Sequence, residues 1–206
     1  ELLDRAGQGA TVVQTRPVEV ANKYKRPVRV LSSFNDGNGT LISLKDESME
    51  NALVSGIAFQ KDLVKFTLHS VGDTPGTAFK ILGPISDAEI EVDVIVQNVS
   101  IDDKTDFTFT VSNEDKESVE KILTDLKTEV DYKEVIINSD IAKVSLVGAG
   151  MRSQAGVASK AFKALSENNV NIQIICTSEI KITMVIDEAL VDKAVNVLHE
   201  EFELEK

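Results

Sequence analysis

The sequence predicts an α+β protein: two ferredoxin-like βαββαβ units, preceded by the tail of a different α/β domain. Three observations carry that reading. The chain repeats itself; each copy alternates strand-like and helix-like apolar spacing in the same order; and residues 1–45 fit neither copy.

The repeat joins residues 65–98 to residues 143–178. From Gly76 onward the shift is a constant 80: Gly76, Ala78, Lys80, Ile85 and Ser86 fall on Gly156, Ala158, Lys160, Leu165 and Ser166. Ile90, Val92, Val94 and Ile95 fall on Val170, Ile172, Ile174 and Ile175. The later halves align at a shift of 75, with "FTFTVSNEDKESVEKIL" from Phe107 over "ITMVIDEALVDKAVNVL" from Ile182. Apolar matches alone are common. A fixed register in which Gly, Ala, Lys and Ser also coincide points to a duplication.

The elements follow in chain order. "ELLDRAGQGA" and "RPVEVANKY" are helix-like, with Pro17 at a tolerated first-turn position. "RPVRVLSSF" and "GTLISL" are strand-like, and "NDGNGT" from Asn35 is a turn signal. "ALVSGIAF" at 52–59 is a further strand-like run. Val64, Phe66 and Leu68 alternate as a strand does. A helix follows, capped by Asp73 or Thr74, with Pro75 in its first turn and Ala78, Phe79, Leu82 and Ile85 on its buried face. "VDVIVQN" is the second strand, and Phe107, Phe109 and Val111 mark the third. Val119, Ile122, Leu123 and Leu126 recur at helical spacing, and "KEVIIN" closes the unit. The second copy runs short: after a helix over 189–202 only "ELEK" remains, a weak fourth strand. The spare run at 52–59 completes that second sheet instead. The expected divisions are a tail at 1–45, a first unit at 62–138, and a second made of 52–61 plus 139–206.

Composition narrows the function. The formal charge is −12, which repels phosphate backbones and anionic lipid surfaces, so nucleic acid is a poor partner. RNA binding on a sheet face would also need exposed aromatics, and there are two tyrosines. No apolar run approaches the roughly 18–20 residues of a membrane span. The start lacks the layout of a secretion signal. Its lone cysteine, Cys176, cannot form an internal disulfide; it reads as core filler and fits a reducing cytoplasm. Two histidines, His69 and His199, give no metal spacing and no catalytic relay. "GAGMRS" from Gly148 is an incomplete phosphate loop, and no P-loop string occurs. "NEDKE" and "EEFELEK" are solvated helix ends.

One stretch bears on binding: "HSVGDTPGTAFKI" from His69. Its Gly-rich turn is either a helix start and nothing more, or a cradle. Amides at a helix start bind a carboxylate, aided by the helix dipole. Asp73 would pair with an ammonium. Together they describe a free amino acid. Gln97 and Asn98 end the second strand, near the same turn. Asn171 and Ile172 occupy the matching strand of the second unit, with Ser178 and Glu179 beyond its end; Glu179 suits a basic ligand side chain or is an exposed turn charge. Asp93 alternates against Val92 and Val94.

With repeat and motifs in hand, the chain resembles the C-terminal part of bacterial aspartokinases over essentially all of its length. "VVQTRPVEVANKY", "PVRVLSSF" and "GTLI" look like the end of an amino-acid kinase domain. "VSGIAFQKDLVKFTL", "DTPGTAFKIL", "VDVIVQN", "VGAGMRSQAGVASKAF" and "NNVNIQIICTSEIKI" resemble two regulatory ACT domains. The resemblance implies feedback control of aspartate phosphorylation by lysine, threonine or both. It implies effector binding between a first ACT unit and the second unit of a partner chain, hence a homodimer. The residues carried over are Asp73, Gly76, Ala78, Asp93, Gln97, Asn171, Ile172, Ser178 and Glu179. ATP and Mg²⁺ would belong to the catalytic domain or subunit outside this chain, which itself would carry no cofactor, no catalytic residue and no activity alone. Two departures fall on the second unit's loop: Gln154-Ala155-Gly156 stands where the family often has His-Pro-Gly, and Ala158 where it often has Thr. A competing expectation is a ligand-free tandem dimerisation module.

Overall fold

The computed structural model describes residues 15–42, 53–98, 102–148 and 156–204. These divide into two compact units. One is formed by 61–142 with 187–189. The other gathers the described residues up to Gln60, then 143–186 and those from Leu190.

The 61–142 unit has strands β3 (Gly56–Gly72, from residue 61), β4 (Ile95–Gln97), β5 (Lys104–Ser112) and the first part of β6 (Glu134–Val147). Their order is β4-β5-β3-β6. Helices α2 (Thr77–Asp87) and α3 (Lys116–Leu126) pack on it. β5 is antiparallel to both neighbours, with Phe66 opposite Phe109, Val64 opposite Val111, and Ile95 opposite Phe109. Side chains alternate faces along a strand, so Val64, Phe66, Leu68, Phe107, Phe109 and Val111 all reach one core with Ile81, Ile85, Val119 and Leu123. The Phe66 and Phe109 rings stack at 5.5 Å. Below α3, the buried Tyr132 hydroxyl donates to the Leu123 carbonyl at 2.6 Å, and burial pushes its phenol pKa up. Tyr132→Phe strands that carbonyl and should cost about 1 kcal/mol, read from the denaturation midpoint.

The other unit contains α1 (Thr15–Lys23), with Pro17 in its first turn, and the pair β1 (Val28–Val30) and β2 (Thr40–Ile42). Its larger sheet runs β3-β6-β8-β7, with β7 at Ile172–Thr177, β8 at Lys181–Asp187, and helices α4 (Val157–Glu167) and α5 (Val191–Glu201). Val144, Leu146, Ala161, Leu165, Met184, Val191 and Leu198 are buried.

The duplication is exact in the helices. α4 starts and ends 80 residues after α2, and α5 starts and ends 75 after α3. Gly76 and Gly156 share one backbone state, with φ of 95° and 104°.

Several expectations are corrected. Residues 56–59 of the strand-like run at 52–59 and the strand of Val64–Leu68 are one strand, β3, with Ala52 outside the described residues; "EVIIN" of "KEVIIN" and the following strand are likewise one, β6. Neither "QKDL" nor "SDIA" holds a Gly or Pro to break them. β4 is three residues, shorter than "VDVIVQN". No strand forms at 202–204, which is a turn; residues 205 and 206 lie outside the description. α2 begins at Thr77, so neither Asp73 nor Thr74 caps it; its N-cap is Gly76, without a side-chain cap bond. Phe79 is 79% exposed: the buried face is Thr77, Ile81 and Ile85, and a residue two past Thr77 points about 200° away. Cys176 is exposed on β7, the outermost strand, and is not core filler. Gly148 serves packing: a Cβ there would sit 2.3 Å from the Leu53 carbonyl oxygen. The rest of "GAGMRS", with Gln154 and Ala155, and "ELLDRAGQGA" lie outside the described residues.

Candidate effector site

The turn before α2 explains its own sequence. Thr77 N–H donates to the Thr74 carbonyl at 3.1 Å, and Gly76 has φ 95°, ψ −7°. That is a type II turn, which takes Pro at its second position and demands a left-handed residue at its third. Thr74-Pro75-Gly76-Thr77 supplies both. The Thr77 hydroxyl ties the turn to the strand by donating to the Gly72 carbonyl at 3.0 Å, and lies 3.1 Å from the Thr74 hydroxyl. A Cβ on Gly76 would meet open space, so Gly76→Ala is opposed by backbone conformation alone. It should cost about 1 kcal/mol or somewhat more, and Gly156→Ala the same. Paired thermal melts check the equality.

Asp73, Thr74, Pro75, Gly76, Thr77, Ala78 and Gln97 line an open cleft of about 470 Å³. Helix starts leave amides without intrahelical acceptors. Here Thr77 N–H is spent on the turn and Lys80 N–H on the Gly76 carbonyl, while Ala78, the second residue of the helix, lines the cleft. Opposite in charge is the exposed Asp73 carboxylate. Its backbone N–H is fixed on the Asp103 carbonyl at 2.9 Å, and Gln97 Nε2 donates to its Oδ1 at 3.4 Å. Among the described residues no Lys or Arg lines this cleft. It brings together the start of a helix, a carboxylate and a side-chain amide. Such a set suits a small zwitterion.

Of the nine candidate residues, the structure brings four together here: Asp73, Gly76, Ala78 and Gln97. Asp93 does not line this cleft; it is exposed, and its N–H donates to the Thr110 carbonyl at 3.1 Å. The remaining four belong to the other unit. Asn171 is exposed, Ile172 opens β7 opposite Ile186, and Ser178 N–H closes the β7–β8 turn on the Lys181 carbonyl at 2.8 Å, with Glu179 exposed inside it. Sequence reasoning missed Thr77; the T-P-G-T string was its signal. It also missed a second cleft of about 510 Å³, at His69, Ser70, Asn98, Lys104, Asp106 and Lys133.

Two ACT domain models match the chain, at residues 68–131 and 144–202. A solved structure of aspartokinase alpha and beta subunits is 44% identical, with TM-score 0.69, over 73% of this chain and 99% of that one. The chain belongs to the aspartokinase family. A regulatory subunit of aspartate kinase from Thermus thermophilus, solved ligand-free, is 32% identical at TM-score 0.68, again over 73% of this chain and 99% of its own. An aspartate kinase of Pseudomonas fluorescens is 54% identical over the whole chain. The chain spans about half the length of the curated aspartokinases it matches. It is the regulatory, ACT-bearing part and not the catalytic half. Among the described residues no helix is long and apolar enough to cross a membrane, and no cluster of three or more His, Cys, Asp or Glu could hold a metal ion.

Proposed function

We propose that this chain is the amino-acid-sensing part of a cytoplasmic aspartate kinase and imposes feedback inhibition by lysine, threonine or both. The observation that carries the reading is the cleft at the start of α2, lined by the first residues of the helix together with Asp73 and Gln97. The effector's carboxylate takes the amides of Ala78 and Phe79. Its ammonium takes Asp73 and the Gln97 carbonyl oxygen. Asn171, Ile172, Ser178 and Glu179 of a second copy close over it, so bound effector selects one quaternary arrangement. A ligand that binds one state better shifts the population toward that state, and a coupling of about 1–3 kcal/mol is enough for inhibition. The chemistry, transfer of a phosphoryl group from ATP to aspartate with Mg²⁺, stays with the catalytic half.

A second reading has its own support. β4 and β7 are outermost strands, and Ile95 and Ile175, 80 residues apart, are each 47% exposed on them. Such edges suit pairing between copies with no ligand. Calorimetry with each aspartate-family amino acid, combined with mass spectrometry under non-denaturing conditions, separates the two. A sensor takes up lysine or threonine with measurable heat and shifts its oligomer distribution. A dimer that gives no heat with any of them rejects the sensor.

A further inference from the structure

We propose that Asp106 and His69 form a clamp that positions Asp73 and so sets effector affinity; this rests on the reading of the Asp73 cleft as the effector site. Along β3 the pairing with β5 slips between Leu68 and Val71. Within the slip, Ser70 holds φ 58°, a left-handed state that side chains other than Gly, Asn and Asp seldom adopt. It is tied there by Asp106. Ser70 N–H donates to Asp106 Oδ1 at 3.0 Å, and His69 Nδ1 lies 3.0 Å from the same oxygen. The Asp106 backbone carbonyl meanwhile accepts from Asn98 N–H at 3.2 Å. One residue therefore holds both chain ends that build the cleft: β3, three residues before Asp73, and β4, one residue after Gln97. The segment between is fixed as well, by Gly72 N–H on the Asp131 carbonyl. The Ser70 amide, helped by His69, holds the Asp106 carboxyl below the usual carboxylate range.

The repeat shows that the fold does not need this clamp. Before the loop the copies align at a shift of 78, Leu68 on Leu146, which puts His69 on Val147 and Ser70 on Gly148; Asp106 falls on Lys181 at the shift of 75. In that copy Gly148 N–H simply donates to the Ile180 backbone carbonyl at 2.9 Å. Among the described residues the clamp belongs to one unit, the one that carries the Asp73 cleft. Nearby charges are otherwise engaged: Lys104 pairs with Asp131, and Lys133 lies 3.9 Å from Glu134.

The test compares the full chain with Asp106→Ala, Asp106→Ala/Ser70→Gly and Asp73→Ala. Amide hydrogen exchange at Ser70 and Asp73 is measured, and lysine and threonine are titrated by calorimetry. Asp106→Ala should speed exchange at both amides and weaken effector binding by about tenfold, a typical coupling. Adding Ser70→Gly should restore most of the affinity, because glycine adopts φ 58° unaided. Wild-type exchange at Asp73 in Asp106→Ala overturns the clamp. So does an affinity loss that Ser70→Gly does not repair, which would mark general destabilisation. If the unmodified chain binds neither amino acid, the effector reading falls, and the exchange at Asp73 still decides the clamp.

Discussion

Asp73→Ala should weaken lysine or threonine binding by roughly ten- to a hundredfold. Among the described residues it gives the cleft its only negative side chain, and a hydrogen bond between charged partners contributes about 1.5–3 kcal/mol, with each 1.4 kcal/mol worth about a factor of ten. The carboxylate is exposed, so the lower end of that range is the better expectation at physiological salt. Asp93→Ala is the matched control: an acid on the same unit, exposed, and away from the cleft lining. It should leave the affinity as it was. Isothermal titration of the three proteins decides the matter. Equal losses for both substitutions would mean that the general negative field, and not this cleft, attracts the ligand. Thermal stability should hardly move for either, since neither carboxylate is buried.

Some of this was open to sequence reasoning, for identifiable reasons. Gly76 and Gly156 both hold a left-handed backbone state that glycine adopts readily, so two glycines at a shift of 80 mark the duplication. Phe107, Phe109 and Val111 betrayed β5 because one face of that strand is buried. Other features leave no local trace. A strand that runs on from one unit into the next reads as two strands when a turn is expected between them. Hydrophobicity does not separate a central strand from an outermost one, which is why Cys176 and Ile175 are exposed within "IQIICTS". The clamp is less visible still. Ser70 and Asp106 are 36 residues apart, and their meeting depends on a one-residue slip in register. Phe79 is apolar yet exposed because Thr77, Ile81 and Ile85 set the buried face of α2, with Ala78 and Leu82 at its margin, and Phe79 lies one further step of about 100° round the helix from Ala78.

Phe109→Ala should carry the largest stability cost of any change considered. The ring is wholly buried, stacks on Phe66 with planes 13° apart, and packs against Phe107 at 6.3 Å. Removing a buried aromatic ring costs about 3–5 kcal/mol, against a total of about 5–15 for a typical domain. The repeat indicates a milder change. At the shift of 75, Phe109 falls on Met184, also wholly buried, and at 78 Phe66 falls on Val144. Methionine is therefore an accepted occupant of that position in this architecture, and its flexible side chain fills irregular space. Phe109→Met should cost about 1–2 kcal/mol, well below the alanine change. The loss should also reach the cleft. Phe109 is paired with Ile95 and Phe107 with Gln97, so loosening this part of β5 frees the strand that carries Gln97. Urea denaturation followed by lysine and threonine titrations tests both steps. The expected order of stability is wild type, then Met, then Ala, with affinity falling in the same order. An alanine variant as stable as the methionine variant would show that the core closes over the missing ring, and that β4 is held by its backbone bonds to β5 alone.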